Sequence, residues 1–251
     1  MKLLLDLGNT RLKWALVDRG TRVAQGAVAW NEDIESVLAA AWGSLDGVAH
    51  IYGASVVDPA KEARVEAIAH VIRACNVYWL RTPAEACGVR SAYAEPERLG
   101  VDRFLAMVWA YHDGDAPCVL VGVGTALTLD ALDAQGRHLG GLIAPGPQLM
   151  QQSLWGATAR VRPEPGRVLD AADNTADAVA SGCWQAAVAL IERFVVRMSP
   201  QLGGAPQVIL GGGDAVQLQP LLATPPKLTE DSVLRGLAVW AEAHSTTLPP
   251  L

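Results

Sequence analysis

The chain has 251 residues, of which 51% are hydrophobic and 18% are charged, and its formal net charge is −6. This composition is typical of a compact folded protein and excludes extended disorder, and the acidic balance argues against nonspecific binding of nucleic acid. The length permits one large domain or two lobes of about 120 residues each.

The cysteines and histidines do not indicate a metal site. The four cysteines are scattered along the chain, and neither they nor the five histidines show ligand or disulfide spacing. The apolar N-terminus is interrupted by Asp6 and lacks a small-residue cleavage site, and the longest apolar run, 119–129, is short and rich in glycine. We therefore expect a soluble cytoplasmic protein with reduced thiols.

The first half of the chain predicts an α/β lobe. Its hydrophobic periodicity and capping residues indicate, in chain order, strands 2–7, 12–17 and 22–28, a helix 32–41 capped by Asn31, a strand 48–56, a helix opened by Asp58-Pro59, and a strand 77–80. The polar connection 81–100 then has a length typical of a functional loop, and it leads into a helix at 101–112.

The second half begins with the same kind of strand-turn-strand unit. Gly124-Thr125-Ala126 separates two apolar strands in the way that Gly8-Asn9-Thr10 does near the N-terminus, which predicts an internal duplication. The later elements are a loop at 163–166, a helix 175–198, a strand 208–210 that ends in Gly211-Gly212-Gly213, and a last helix 232–243.

The stretch from Asp6 to Lys13 has the residue types of a phosphate-binding hairpin. Gly8 permits a turn that is closed to residues with a Cβ, and Asn9 and Thr10 add side-chain donors. Lys13 lies on an apolar strand face, where its charge favours an anionic partner. An ordinary hairpin with local turn bonds and a snorkelling lysine is equally compatible with this segment taken alone.

A second candidate group opens the helix after the long loop. Asp102 and Arg103 follow Gly100 in the first helical turn. The aspartate can simply satisfy helix amides, which is common. It can also accept a proton from a substrate hydroxyl while the arginine holds a substrate carboxylate. None of the glycine turns is a P-loop or a dinucleotide fingerprint.

Four segments together, 6–10, 100–103, 124–128 and 211–213, resemble the type III pantothenate kinases in order and over nearly the whole chain. The resemblance implies an actin-like α/β fold of two duplicated ribonuclease-H-like lobes with a cleft between them. The lobe 1–114 would carry the first phosphate motif and the acceptor segment, and the lobe 115–251 the second phosphate and adenosine motifs. It also implies ATP-dependent phosphorylation of pantothenate to 4'-phosphopantothenate, the first step of coenzyme A biosynthesis, by a cytoplasmic homodimer.

The resemblance assigns roles residue by residue. Asp102 would be the catalytic base. The ATP and phosphate contacts would be Asp6, Gly8, Asn9, Thr10, Arg11, Lys13, Gly124, Thr125 and Gly212, with Asp6 holding magnesium of Mg-ATP through water. The pantothenate contacts would be Tyr93, Gly100, Val101, Asp102, Arg103 and Thr175.

One position departs from the family pattern. The family aspartate associated with a monovalent cation, potassium or ammonium, corresponds here to Gly122, which has no oxygen ligand to offer from a side chain. Asp130 is a nearby carboxylate whose relation to this position the sequence leaves open. Two other functions stay open as well: a related sugar kinase, and a nucleotide-binding regulatory protein of the same fold without catalysis.

Overall fold

The computed structural model describes residues 1–73, 75–158 and 160–244. The chain forms two compact units, of which the first comprises Met1–Gly114 and the described residues from Asp231 onward, and the second comprises Asp115–Glu230. The expected lobes 1–114 and 115–251 differ from these units in one respect. The last helix belongs to the first unit, because its apolar side is buried there.

Strands and helices are mixed along the chain. The strands are β1 (Lys2–Leu7), β2 (Arg11–Asp18), β3 (Thr21–Ala29), β4 (His50–Ser55), β5 (Val77–Leu80), β6 (Glu85–Ala86), β7 (Val89–Arg90), β8 (Cys118–Val123), β9 (Ala126–Leu132), β10 (His138–Pro145), β11 (Gln207–Gly211) and β12 (Lys227–Leu228). The helices are α1 (Ile34–Gly43), α2 (Pro59–Arg73), α3 (Val101–His112), α4 (Pro147–Ala157), α5 (Thr175–Met198), α6 (Ala215–Leu218) and α7 (Ser232–Ala243).

The first unit is built on a five-stranded sheet of order β3-β2-β1-β4-β5. Strands β1, β2 and β3 are antiparallel neighbours, whereas β4 and β5 run parallel to β1. Successive side chains of a strand point to opposite faces. Accordingly Leu3, Leu5 and Leu7 pack in the cluster formed with α1 and α2, and Leu4 packs with α3 and α7.

Helices α3 and α7 approach each other closely. A Cβ at Gly236 in α7 would clash with the carbonyl oxygen of Leu105 in α3, so only glycine permits this backbone contact. Leu234 and Leu237 of α7 are buried in the same cluster. The N-terminal ends of both helices lie in the first unit, and two of the polar groups described below are located at these ends.

The second unit repeats the plan of the first. Its sheet has the order β10-β9-β8-β11-β12, with β8, β9 and β10 antiparallel and with β11 and β12 parallel to β8. Each strand thus has a counterpart in the first sheet, which confirms the α/β fold class and the duplication. Helix α5 is long and apolar enough to span a membrane by length and composition, and Trp184, Ala187 and Ile191 on it are buried in the core of this unit.

Candidate active site

Asp6 and Lys13 lie directly opposite each other on β1 and β2. Directly paired residues of an antiparallel ladder project to the same face. On β1 this is the face of Leu4, which is packed under α3 and α7, and Asp6 continues it toward the end of the strand. Both side chains are only partly buried. The predicted phosphate hairpin therefore presents a carboxylate and an ammonium group side by side.

Lys13 has an anionic partner that the sequence does not reveal. Its Nζ lies 3.0 Å from Oδ1 of Asp231, and Nη1 of Arg22 lies 3.1 Å from Oδ2 of the same carboxylate. Burial opposes ionisation of Asp231, but the hydrogen bonds and charges of these two cations outweigh it and lower its pKa below the usual value. Asp231 is also the N-cap of α7, with φ 53°.

Asp102 occupies the first turn of α3, as the sequence predicts. Its Oδ1 accepts a hydrogen bond of 2.8 Å from the backbone N–H of Arg103. The preceding Gly100, which is the N-cap, leaves the space that this carboxylate needs, because a Cβ on that residue would lie 2.5 Å from Oδ1 of Asp102. The glycine thus determines where the candidate base can point.

The acidic groups of the first unit influence one another. Burial raises the pKa of Asp6 to about 7, the charges of Asp102 and Asp231 raise it as well, and Lys13 opposes the increase. When burial and neighbouring negative charges disfavour the ionised form of a carboxyl group, a nearby cation stabilises that form. Within the described residues no three His, Cys, Asp or Glu side chains are grouped to hold a metal ion. A magnesium ion would therefore fit at Asp6 only with phosphate and water oxygens as its other ligands.

The predicted acceptor residues Tyr93 and Arg103 contact each other. Nη1 of the buried Arg103 donates to the hydroxyl of Tyr93 at 3.3 Å. The buried Thr82 hydroxyl donates to the carbonyl of Leu99 at 2.6 Å and so anchors the chain just before α3. Val101 differs from its neighbours, because its side chain is packed in the core with α7 and leaves only its backbone to contact a ligand.

The turn from Gly8 to Arg11 is exposed at Asn9, Thr10 and Arg11. The N–H of Gly8 donates to the carbonyl of Arg11 at 3.1 Å. The expectation that Gly8 needs a backbone conformation closed to other residues is wrong. Its φ lies outside the left-handed region, and a Cβ would only touch the Arg11 carbonyl at 3.5 Å. Glycine instead leaves the outer side of the turn uncovered.

In the second unit, Gly124 and the exposed Thr125 form the corresponding turn between β8 and β9. Gly212 has φ 101°, and a Cβ there would clash with the carbonyl of Val123, so this position requires glycine. Gly146, which the sequence analysis missed, donates its N–H to the carbonyl of Thr125 at 2.9 Å. These contacts fix the backbone of the second turn from two sides.

Thr175 lies elsewhere in the second unit. It is the exposed first residue of α5, and it lines an open groove of about 780 Å³ beside α4. The groove is lined by residues that include Met150, Leu154, Asn174, Ala178 and Gly182. Gly124, Thr125 and Gly212 do not belong to its lining. The groove beside Thr175 is therefore not lined by the predicted ATP residues of the second unit.

Gly122 is paired with Thr128 on the neighbouring strand. A Cβ at Gly122 would lie 2.6 Å from the Thr128 hydroxyl oxygen, so a side chain at this position requires Thr128 to move. Asp130 is buried, and its Oδ1 lies 2.9 Å from Nε2 of the buried His138. The Asp130 carboxylate therefore has a neighbour within its own sheet. The residue that pairs with Asp130 on β8 is Leu120.

Comparisons with known proteins point to the same family that the sequence motifs resemble. The family model of the type III pantothenate kinases matches residues 2–197. A type III pantothenate kinase from Xanthomonas campestris pv. campestris (strain B100) is 45% identical over 244 residues, which cover 96% of this chain and 97% of the relative.

Two solved structures share the fold. One, from Campylobacter jejuni and described as a conserved Baf family transcriptional activator, has a TM-score of 0.63 at 19% identity, with 97% of this chain and 99% of that chain covered. The other, a ROK hexokinase from Thermus thermophilus, has a TM-score of 0.51 at 15% identity, with 97% and 99% covered. At these identities the likeness concerns the fold alone.

Proposed function

The chain belongs to the type III pantothenate kinase family, and on this premise we propose that it transfers the γ-phosphoryl group of ATP to the primary hydroxyl of pantothenate. The products are ADP and 4'-phosphopantothenate, and the reaction is the first step of coenzyme A biosynthesis. The observation that carries this proposal concerns Asp6 in the first unit. Lys13 lies directly opposite Asp6 on the neighbouring strand, and the charge of Asp102 acts on the same carboxyl group. A kinase needs such groups for its metal, its phosphates and its acceptor alcohol.

Asp102 is the proposed catalytic base. The acceptor oxygen attacks the γ-phosphorus, the bond between this phosphorus and the β–γ bridging oxygen breaks, and the hydroxyl proton passes to the Asp102 carboxylate. The hydrogen bond from the Arg103 amide holds one carboxylate oxygen at the start of α3.

Lys13 and Asp6 serve the phosphate groups in this proposal. Lys13 offsets negative charge on the transferred group, which requires its ammonium to leave or share the pair with Asp231. Asp6 would hold a magnesium ion through water, and that ion would supply charge neutralisation at the phosphate oxygens. A cation beside Asp6 would offset the burial and the charges of Asp102 and Asp231 that raise its pKa, and so would favour the ionised form.

The remaining contacts are assigned from the family motifs. For ATP they are the turn residues Gly8, Asn9, Thr10 and Arg11 in the first unit, and Gly124, Thr125 and Gly212 in the second unit. For pantothenate they are Tyr93, Gly100, Arg103, Thr175 and the backbone of Val101. The guanidinium of Arg103, which donates to the Tyr93 hydroxyl, is assigned to the pantothenate carboxylate, because its planar fork of donors matches a carboxylate.

We assign the active form to a homodimer in the cytoplasm. Ala178, Gly182 and Ala186 are exposed at four-residue spacing along α5, beside the apolar groove that contains Thr175. Small residues at this spacing allow close packing of helices, which is what an interface between two copies requires. Light scattering at working concentration should give twice the chain mass, and a monomer alone would contradict the assignment.

A steady-state assay tests the function. We expect ATP and pantothenate to give ADP and phosphopantothenate in equal amounts, measured by coupled ADP release and by mass spectrometry. A panel of sugars and acetamido sugars serves as the control for acceptor choice. Turnover of a sugar without turnover of pantothenate would replace the proposed substrate. Tight ATP binding without any product would favour a regulatory protein instead.

A further inference from the structure

Trp30 makes two hydrogen bonds to the exposed turn of the first phosphate motif. It follows β3, and its indole Nε1 donates to the carbonyl oxygen of Gly8 at 2.7 Å. Its backbone N–H donates to the carbonyl oxygen of Thr10 at 3.4 Å. One residue, distant by 22 positions from Gly8, thus contacts two carbonyl groups of the turn.

The bond to Gly8 determines the direction of a neighbouring amide. The carbonyl of Gly8 and the N–H of Asn9 belong to the same planar trans peptide, in which the two groups point in opposite directions. Because the carbonyl is held toward Trp30, the N–H of Asn9 points away from it. Asn9 is exposed, so a ligand can approach the residue that carries this N–H. The N–H of Gly8 itself is used by the carbonyl of Arg11.

Tryptophan suits this task because its indole N–H can donate a hydrogen bond and cannot accept one. A flipped Gly8 peptide would place an N–H against another N–H, which is unfavourable, so the indole favours a single orientation. The ring is held in place, since it packs against the cluster under α1 and α2, and Nζ of Lys61 lies 5.4 Å from its centroid. Lys61 in turn lies 3.3 Å from Asp58.

We infer that Trp30 is a positioning residue for ATP, which acts by locking the Gly8 peptide so that the Asn9 N–H is presented to a phosphate group. This inference rests on the proposed function, since it takes the turn to be the phosphate site. Trp30 touches neither reactant. Its effect passes through the backbone of the turn, and it should therefore concern ATP and leave pantothenate binding unchanged.

The substitution Trp30→Phe tests the inference, because it keeps an aromatic ring and removes the donor. We expect kcat/KM for ATP to fall about five- to thirtyfold, the effect of one lost hydrogen bond of about 1 to 2 kcal/mol. KM for pantothenate should stay within about twofold of the wild-type value, since its contacts are untouched. Thermal unfolding of each protein is measured alongside.

Trp79→Phe is the matched control. Trp79 is on β5 in the same unit, and its buried Nε1 has no hydrogen-bond partner among the described residues. This variant loses an indole nitrogen without losing a bond, and we expect its KM for ATP to equal that of the wild type. If Trp30→Phe keeps the wild-type KM for ATP, or if both KM values rise together with a lower Tm, the inference is wrong.

A binding experiment separates this inference from the proposed function. Calorimetric titration with Mg-ADP and with Mg-ATP requires no turnover. If the wild type binds nucleotide but does not phosphorylate pantothenate, the proposed substrate fails, and weaker nucleotide binding by Trp30→Phe would still support the positioning role. Equal nucleotide affinity of the variant and the wild type would overturn it. A wild type that binds no nucleotide would overturn both.

Discussion

The ammonium of Lys13 lies 3.0 Å from the carboxylate of Asp231, although 218 positions separate the two residues. The pair links the first phosphate motif to the cap of the last helix. It also means that the cation assigned to the phosphate groups is already neutralised by the protein. In the proposed mechanism ATP would compete with Asp231 for Lys13, and the carboxylate would repel the incoming phosphates.

Asp231→Asn should therefore bind ATP more tightly and fold less stably. We expect KM for ATP to fall about threefold, and the free energy of unfolding at pH 7 to fall by about 1 kcal/mol. The folded pKa of Asp231 is lowered, so its contribution to stability is present above the ordinary value of 3.8 and is lost as the pH falls through the folded value. Urea unfolding at neutral pH and near pH 3 measures this dependence.

The control for this variant is Asp113→Asn. Asp113 pairs with Arg235 of the same helix α7 at 3.5 Å and is not a partner of Lys13. The Asp113→Asn variant should leave KM for ATP unchanged. If Asp231→Asn weakens ATP binding instead, the carboxylate supports the site rather than competing with the phosphates.

Asp6→Asn should stabilise the protein in a manner that depends on pH. The folded pKa of Asp6 is raised from 3.8 to about 7, so the folded state holds a proton that the unfolded state releases between these values. Stability due to this group therefore falls as the pH rises through this window, and the full penalty is present above about pH 7. The variant should have a higher Tm than the wild type at pH 8 and an equal Tm near pH 4, without nucleotide. Activity should be lost, because the carboxylate that is proposed to hold the metal is gone. Equal Tm values at pH 8 would contradict the burial of a charge at this position.

Asp102→Asn tests the catalytic base. The amide can still accept the hydrogen bond from the Arg103 amide, so the fold should be retained. We expect kcat to fall about 10²- to 10⁴-fold, the usual value of a positioned base. Calorimetric affinity for Mg-ADP should be close to that of the wild type. Near-normal kcat would refute the assignment.

Gly100→Ala should displace the same carboxylate without removing it. The added Cβ would lie 2.5 Å from Oδ1 of Asp102, which forces this side chain to another position. A misplacement of about 1 Å can cost about 10²-fold in rate, and we expect kcat to fall about tenfold or more. Gly43→Ala is the control, since its Cβ would meet no atom within 4 Å. Unchanged kcat in Gly100→Ala would show that the position of Asp102 is not critical.

The cation response can be tested at Gly122. Gly122→Asp alone would crowd the Thr128 hydroxyl, so the substitution is made together with Thr128→Ala. We expect the double variant to be activated by potassium or ammonium more than the wild type, because a carboxylate oxygen is a strong ligand for such ions. Thr128→Ala alone should titrate like the wild type. An unchanged potassium titration of the double variant would contradict this role of position 122.

Local patterns predicted much of the fold. The helices at 101–112 and 175–198 have the predicted bounds, and the strand-turn-strand repeat is present in both sheets. Helix α1 begins later than predicted, at Ile34, because Asp33 rather than Asn31 caps it. Helix α4 was missed, since its opening Gly146-Pro147 is typical of a loop. Capping and periodicity signals extend over only a few residues. They therefore predict single helices and strands, but they do not predict which elements pack together.

Long-range relations in the candidate site could not be predicted in this way. Nothing near Asp231 in the sequence indicates that it meets Lys13, because the meeting depends on the return of α7 to the first unit. Likewise, an indole after a strand is typical of core packing, and the bond of Trp30 to Gly8 depends on the pairing of β2 with β3. The motif residues could be named from the sequence as candidates, whereas their long-range neighbours Asp231 and Trp30 could not.

The return of α7 also has a consequence for synthesis on the ribosome. The first sheet can be completed once residue 80 has emerged, and α3 then covers part of the apolar face that carries Leu4 and Tyr52, but the rest of this face stays exposed until α7, ending at Ala243, has been made. The whole second unit is translated in the interval. During that time the nascent first unit exposes a surface that nascent-chain chaperones recognise, so the N-terminal half should mature later than the half that follows it.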